Sequence, residues 1–203
     1  MPSLMIHLLT ARHLRRPCGP LFHVGAVAPD ALDDWRQKNI THLRDCPDRA
    51  AALAALARRT DPADDFAEGA LLHLFTDWLW DDGHLRRYLD SLGTIPPNGA
   101  WVPGYRHEIS RASAYIFCTE PWAAAVWQGM LAVPQTAYGA LQKMTPQDIA
   151  AFLQSNHAAL QRAGHKNCPP SHFYPPAQVA AFARAAAHDY EAWRGHCDAN
   201  LLK

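Results

Sequence analysis

The chain has 203 residues, with 19 Lys and Arg against 19 Asp and Glu, and 49% of its side chains are hydrophobic. That length suffices for one domain with a sizeable core, and the balanced charge argues against a nucleic-acid partner or docking on an anionic membrane. Twelve histidines are many for such a chain, and near neutral pH they supply ligand and proton-transfer capacity rather than charge.

The five cysteines are odd in number and none has CxxC spacing, so neither a zinc ribbon nor a disulfide framework is expected, and a reducing cytosol is. The first residues, MPSLMIHLLTARHLRR, carry their charge after the apolar run, which is not a signal-peptide layout. No stretch is long enough to cross a bilayer, so a cytoplasmic protein without stable membrane insertion is expected.

In chain order, residues 3–16 read as a helix capped by Ser3, with Leu4, Leu8 and Ala11 on one side. His7 falls inside that apolar span, as a satisfied core histidine or as a ligand. Residues 17–28, with Gly19, Pro20 and Gly25, read as a loop containing His23. Asp30 follows as an N-cap, with Asp33 completing a capping box. His42 sits in a connector, and residues 47–59 form an alanine-rich cover helix with Leu53 and Leu56 inward.

Residues 65–84, DFAEGALLHLFTDWLWDDGH, are the centre of the reading. Asp61 can cap this helix, with Pro62 at its first position and Gly83 as its stop. Leu71, Leu72, Leu74, Phe75, Trp78 and Leu79 cover most of its circumference, so it should be buried. His73 and Asp77 are four apart and share one face. A buried carboxylate needs a positive partner, and an imidazole and a carboxylate on one face can chelate a cation; a His–Asp hydrogen bond or an arginine partner would serve as well.

Residues 85–92 are a short helix. Residues 93–104 are a Pro/Gly loop carrying Trp101, either a lid or a plug into the core. Residues 105–117 return to helix, with Ile109, Ala112 and Ile116 in one row and Arg106, His107, Glu108 and Arg111 on the polar face. Residues 121–130 form the next helix, with Trp122, Val126 and Met130 in register. Residues 147–162 follow a Thr145 cap and Pro146. Residues 175–198 end the chain with Val179, Phe182 and Trp193 inward. No period-two alternation is sustained and no repeat is present, so the fold class is all-α, one multi-helix bundle over residues 1–203.

The segments MPSLMIH, GAVAPDA, ITHLR and LLHLFTDWLW together resemble the zinc-dependent phospholipase C family, in its short, unexported bacterial members. The likeness covers roughly residues 1–85 and follows that family's ligand order, His, Asp, His, then His-x-x-x-Asp. It implies an all-α fold. It implies Asp30, His42, His73 and Asp77 as ligands of one metal, and His7 as ligand of a neighbouring one that shares Asp77. The secreted members finish that second site with a processed N-terminal residue, where this chain starts Met-Pro, and they hold another zinc with a His-x-x-x-Glu that is absent here after Asp77. His84, His107 and Glu108 are the nearest substitutes.

The expected activity is a metal-dependent hydrolase of a small-molecule substrate, a phosphoester first. The expected cofactor is a divalent metal, zinc before iron or manganese. Asp30, Asp77 or His84 could act as general base, and Arg106, Arg111 and Trp101 could contact substrate. Three other readings compete. One is a mononuclear enzyme for acyl or lactone substrates, or one using iron and oxygen. One is a His-Asp phosphohydrolase resting on His188-Asp189 and Asp198. The last is a non-catalytic helical binding protein with structural histidines.

Overall fold

In the computed structural model, which describes residues 1–32, 34–164 and 168–199, helix α5 (Asp65–Trp80) runs through the middle of the fold. Asp64, not Asp61, caps it: its carboxylate accepts from the amides of Phe66 and Ala67. Asp61 instead closes a turn by accepting from the Ala63 amide. Most of α5 is buried, as its all-round apolar sequence requires. Its one buried acid outside the ligand face, Glu68, accepts from Arg194 at 2.8 Å and from the Tyr190 hydroxyl at 2.9 Å. That satisfies a charge whose burial would otherwise cost several kcal/mol.

The loop expected over residues 17–28 is a helix, α2 (Pro20–Val27). Pro20 stands at its start, where a missing N–H costs nothing. Gly25 does not break it, because its lack of a side chain is used for packing. A Cβ on Gly25 would collide with the Phe66 carbonyl, and one on Gly69 would collide with the Phe22 carbonyl and lie 2.8 Å from the Ala26 amide nitrogen. Helices α2 and α5 therefore meet backbone to backbone. Helix α1 (Leu4–Arg12) packs on both.

After a 3-10 turn at Ala28–Ala31, α3 (Trp35–Thr41) is capped by Asp34, whose side chain accepts from Arg36 and Gln37 amides. Asp30 is thus not the cap, and Asp33 lies outside the described residues. Helix α4 (Arg49–Ala57) covers α5 with Leu53 and Ala57, while Leu56 is only partly buried.

Gly83 does not stop the central helix. The chain continues through a π-helical turn, Asp81–Leu85, into α6 (Arg86–Ser91), and the stop is Gly93 at φ 69°. Helix α7 (Val102–Thr119) starts three residues earlier than expected because Pro103 is tolerated in a first turn. Ile109, Ala112 and Ile116 are buried as a row. In α8 (Ala123–Ala132) the inward row is Ala123, Trp127 and Met130 rather than Trp122, Val126 and Met130. Helix α9 (Pro146–Gly164) follows a reciprocal cap between Thr145 and Asp148. Helix α10 (Pro176–Ala199) buries Val179 and Phe182, with Trp193 partly covered.

Two apolar clusters result. One gathers Met5, Trp80, Trp127 and Met130 among α1, α5 and α7–α10; the other gathers Phe22, Leu71, Phe75 and Tyr190 between α2, α5 and α10. Among the described residues the only extended pairing is an isolated bridge between Leu141 and Met144, so the all-α class is what the structure shows. No helix of the described residues is long and apolar enough to cross a membrane. Against the expectation from cysteine spacing, Cys118 at the end of α7 is bonded to Cys168, a sequence separation of 50. Distant cysteines carry no spacing signature, so only the fold reveals the pair.

Candidate metal centre

His73 and Asp77 point from α5 toward α1 and the 3-10 turn, and both are wholly buried. The glycine contact with α2 sets the position of His73. One residue past Gly25, the Ala26 carbonyl lies 2.9 Å from His73 Nδ1. A carbonyl only accepts, so Nδ1 carries the proton and Nε2 keeps a lone pair in the neutral ring.

His42, at the C-terminal end of α3, has the same arrangement. Its Nδ1 meets the Lys38 carbonyl at 2.9 Å, so its Nε2 is also the bare nitrogen. The two Nε2 atoms face each other at 3.2 Å. With both tautomers fixed by backbone carbonyls, no proton lies between them unless one ring is charged. Burial opposes that charge. It drives His73 down to about 3, the neighbouring His7 adding to the effect, and it lowers His42 against the pull of Asp77 and Asp30.

His7 from α1 stacks on His73, ring centroids 3.8 Å apart. Its Nε2 is 3.4 Å from Asp77 Oδ1, but neither atom makes a hydrogen bond, and both are buried. Asp30 completes the set from the 3-10 turn, its Oδ1 lying 3.8 Å from His42 Nε2. Ligand atoms of His7, Asp30 and His73 lie within 4.8 Å of one another, and so do those of His42, His73 and Asp77. The five residues selected from the sequence thus converge from α1, the 3-10 turn, α3 and α5.

The set fits a divalent cation. Two imidazole nitrogens on one tetrahedral ion, each at about 2.0–2.1 Å, stand about 3.3 Å apart. The Nε2 pair stands at that spacing, Asp77 Oδ2 lies 3.8 Å from His42 Nε2, and an ion would satisfy the facing lone pairs. The other ring nitrogens of His42 and His73 are already held by carbonyls, as metal-ligating imidazoles usually are.

The arginine partner that the sequence offered for Asp77 is present as Arg44; Lys38 beside Asp30 was not expected. Lys38 Nζ lies 3.0 Å from Asp30 Oδ1. Arg44 Nη2 lies 3.0 Å from Asp77 Oδ2 and 2.8 Å from Asp81 Oδ2, and Arg49 Nη1 lies 2.9 Å from the same Asp81 oxygen. Burial raises the Asp30 carboxyl, but Lys38 and the nearby imidazoles prevail and bring it down to about 2. Burial also raises Asp77, yet His7, His73 and Arg44 hold it well below the usual carboxylate range. Two i,i+4 spacings carried this signal: Lys38 with His42, and Asp77 with Asp81 on the helix that Gly83 was expected to end. Between His42 and Arg44, Leu43 adopts φ 57°, a left-handed conformation costing a branched residue about 1–2 kcal/mol, and it turns both neighbours toward α5.

A cleft of about 1120 Å³ opens beside the cluster; Asp30 is the cluster residue that lines it, together with Lys38 and Arg44. Trp101 and Arg106 line it, Trp101 also packing edge-on against Tyr105 at 5.9 Å. Arg111 is engaged elsewhere, donating to the Pro170 carbonyl at 3.0 Å. Neither His107 nor Glu108 joins the cluster, Glu108 being taken by the Ser171 hydroxyl and the Phe173 amide. His84 is placed outside the cluster. The wide π-turn carries it onto Trp80 and Phe182, with ring centroids 4.5 and 4.7 Å away, beside a separate cleft of about 480 Å³. Burial there drives its pKa down to about 4.

No family model, no curated protein and no solved structure matches the chain. The chemistry of the site is therefore read from its own residues. His188 and Asp189 are exposed and contact each other at 3.3 Å. They stand apart from the buried histidines, so the His-Asp phosphohydrolase arrangement is not formed by them.

Proposed function

We propose that the chain is a metal-dependent hydrolase of phosphoesters, with Asp30, His42, His73 and Asp77 as ligands of one metal and His7 as ligand of a neighbouring one that shares Asp77. The observation that carries this reading is the pair of bare Nε2 atoms of His42 and His73, facing each other at 3.2 Å in a buried site. When bound, a divalent ion there supplies Lewis acidity, polarising a substrate oxygen and easing ionisation of water toward neutral pH.

The protein's own groups do the rest. Neutral imidazoles present lone pairs, and the Ala26 and Lys38 carbonyls hold the rings in place. Asp30 and Asp77 are ionised and too weakly basic to take up a proton near neutral pH, which suits ligation better than general base catalysis. Lys38 and Arg44 hold the two carboxylates in this structure. Three imidazoles and two carboxylates without thiolate suit a catalytic zinc, and the same donors accept iron or manganese.

Elemental analysis of the reconstituted protein tests the metal, with at least one zinc, manganese or iron per chain expected. Hydrolysis of a chromogenic phosphoester panel, lost on chelation and restored by the metal, tests the reaction. Cleavage of esters or lactones alone would move the substrate to acyl compounds. A non-catalytic helical protein has one observation in its favour, because Lys38 and Arg44 already partner Asp30 and Asp77. Absence of metal after reconstitution would establish that reading.

A further inference from the structure

Lys38 and Arg44 are more cation than the two carboxylates need. Lys38 spends one of three ammonium protons on Asp30. Arg44 spends Nε and Nη2 on Asp77 and Asp81, which leaves Nη1 without a hydrogen bond among the described residues. Both residues line the cleft. From the structure we infer that Lys38 and Arg44 form an anion clamp lining the cleft that selects a dianionic phosphomonoester; this rests on the metal reading above.

Charge balance is the first argument. Asp30, Asp77 and Asp81 are matched by Lys38, Arg44 and Arg49, so these six side chains sum to zero before an ion binds. A divalent ion then leaves two positive charges in a partly desolvated pocket. A phosphomonoester dianion neutralises that excess, and a phosphodiester monoanion does not.

Geometry is the second argument. Asp30 and Asp77 would turn oxygens toward the ion, which releases Lys38 and Arg44 to oxygens on the cleft side. Guanidinium and ammonium groups at one edge of an ion are suited to the peripheral oxygens of a phosphoryl group. Away from Lys38 and Arg44 the cleft wall is mixed, with Leu4, Trp101, Ile109 and Phe152 beside Arg106 and Asn156, which offers both packing and hydrogen bonds to the alcohol portion. Hydrolysis breaks the phosphorus–oxygen bond to that alcohol. Water supplies the oxygen that completes inorganic phosphate and the proton that the alcohol carries away.

Calorimetric titration of the full chain loaded with zinc tests the clamp, with inorganic phosphate as dianion and dimethyl phosphate as monoanion at matched ionic strength. Phosphate is expected to bind about tenfold or more tightly. Lys38→Met, titrated with its zinc content measured and the affinity taken per zinc-loaded chain, should lose about tenfold in phosphate affinity, and Lys38→Arg should retain binding within about threefold. Equal affinity for the two anions in the wild type overturns the inference whether or not the variants fold, as does phosphate binding to Lys38→Met at wild-type strength. Those results at full zinc occupancy overturn the clamp alone; a wild type that takes up no zinc overturns the clamp and the metal reading together.

Discussion

Replacing Gly69 by alanine should destabilise this protein, although the same change in an ordinary helix stabilises it. A methyl group in a helix interior gains about 1 kcal/mol over glycine. At Gly69 it would lie 2.8 Å from the Ala26 amide nitrogen and collide with the Phe22 carbonyl. Both are backbone atoms, so α2 and α5 must separate by roughly 0.5 Å or more to reach van der Waals distance. Overpacking of this kind costs about 1–3 kcal/mol. Separation also stretches the 2.9 Å bond from His73 Nδ1 to the Ala26 carbonyl, and its loss costs about 1 kcal/mol more. The balance is a loss of about 1–3 kcal/mol, a fall in Tm of roughly 3–10 °C for a domain of this size. Thermal unfolding followed by circular dichroism measures it. Gly83→Ala is the control, because its added methyl meets nothing within 4 Å and should leave Tm unchanged or slightly raised. A Gly69→Ala variant as stable as wild type would refute the close-contact argument.

Other perturbations probe other parts of the fold. Asp77→Asn should abolish metal uptake while helix content stays intact, and full metal occupancy in that variant would remove Asp77 from the ligand set. His42→Ala should weaken zinc affinity by tenfold or more by equilibrium dialysis; an unchanged dissociation constant would exclude His42. Stability should fall as pH drops from about 6.5 toward 4, because burial lowers both His23 and His84 to about 4. The unfolded chain binds more protons across that window, so the unfolding free energy rises with pH there. His84→Phe should flatten the slope of urea midpoint against pH, and an unchanged slope would clear His84 of a part in it. A reductant should lower the urea midpoint, since the Cys118–Cys168 link closes a loop of 50 residues whose loss costs up to about 4 kcal/mol by chain entropy; equal midpoints with and without reductant would contradict the link.

The all-α class was legible because no segment alternates with period two and because caps such as Thr145 with Asp148 are local signals. His73 and Asp77 were legible for the same reason, as two polar residues on one face of an otherwise apolar helix. His7, Asp30 and His42 were assigned by resemblance, since each alone read as a core histidine, a cap or a connector residue. Helix α2 was hidden because Pro20 and Gly25 look like breakers until a partner backbone is present to use the space. The apolar run from Leu21 to Ala28 was the signal available. Gly83 misled likewise, because a π-turn absorbs it without ending the helix. An arginine beside Asp77 was legible as a need of its buried charge, but that it is Arg44, and that Lys38 serves Asp30, was not, because cations beside histidines read as surface until the fold buries the carboxylates next to them.

Helix α3 buries none of its own side chains, yet it ends in His42, which is fully buried. No apolar face fastens this segment. Among the described residues its polar attachments to the body include Lys38 on Asp30 and, just beyond its end, His42 and Arg44 reaching α5. Undocking of α3 and departure of an ion bound to His42 are therefore one event, and an ion should exchange no faster than this short helix lifts. Amide hydrogen exchange over Trp35–Thr41 would then serve as a clock for ion residence, slow in the loaded protein and fast after chelation, while α5 stays protected in both.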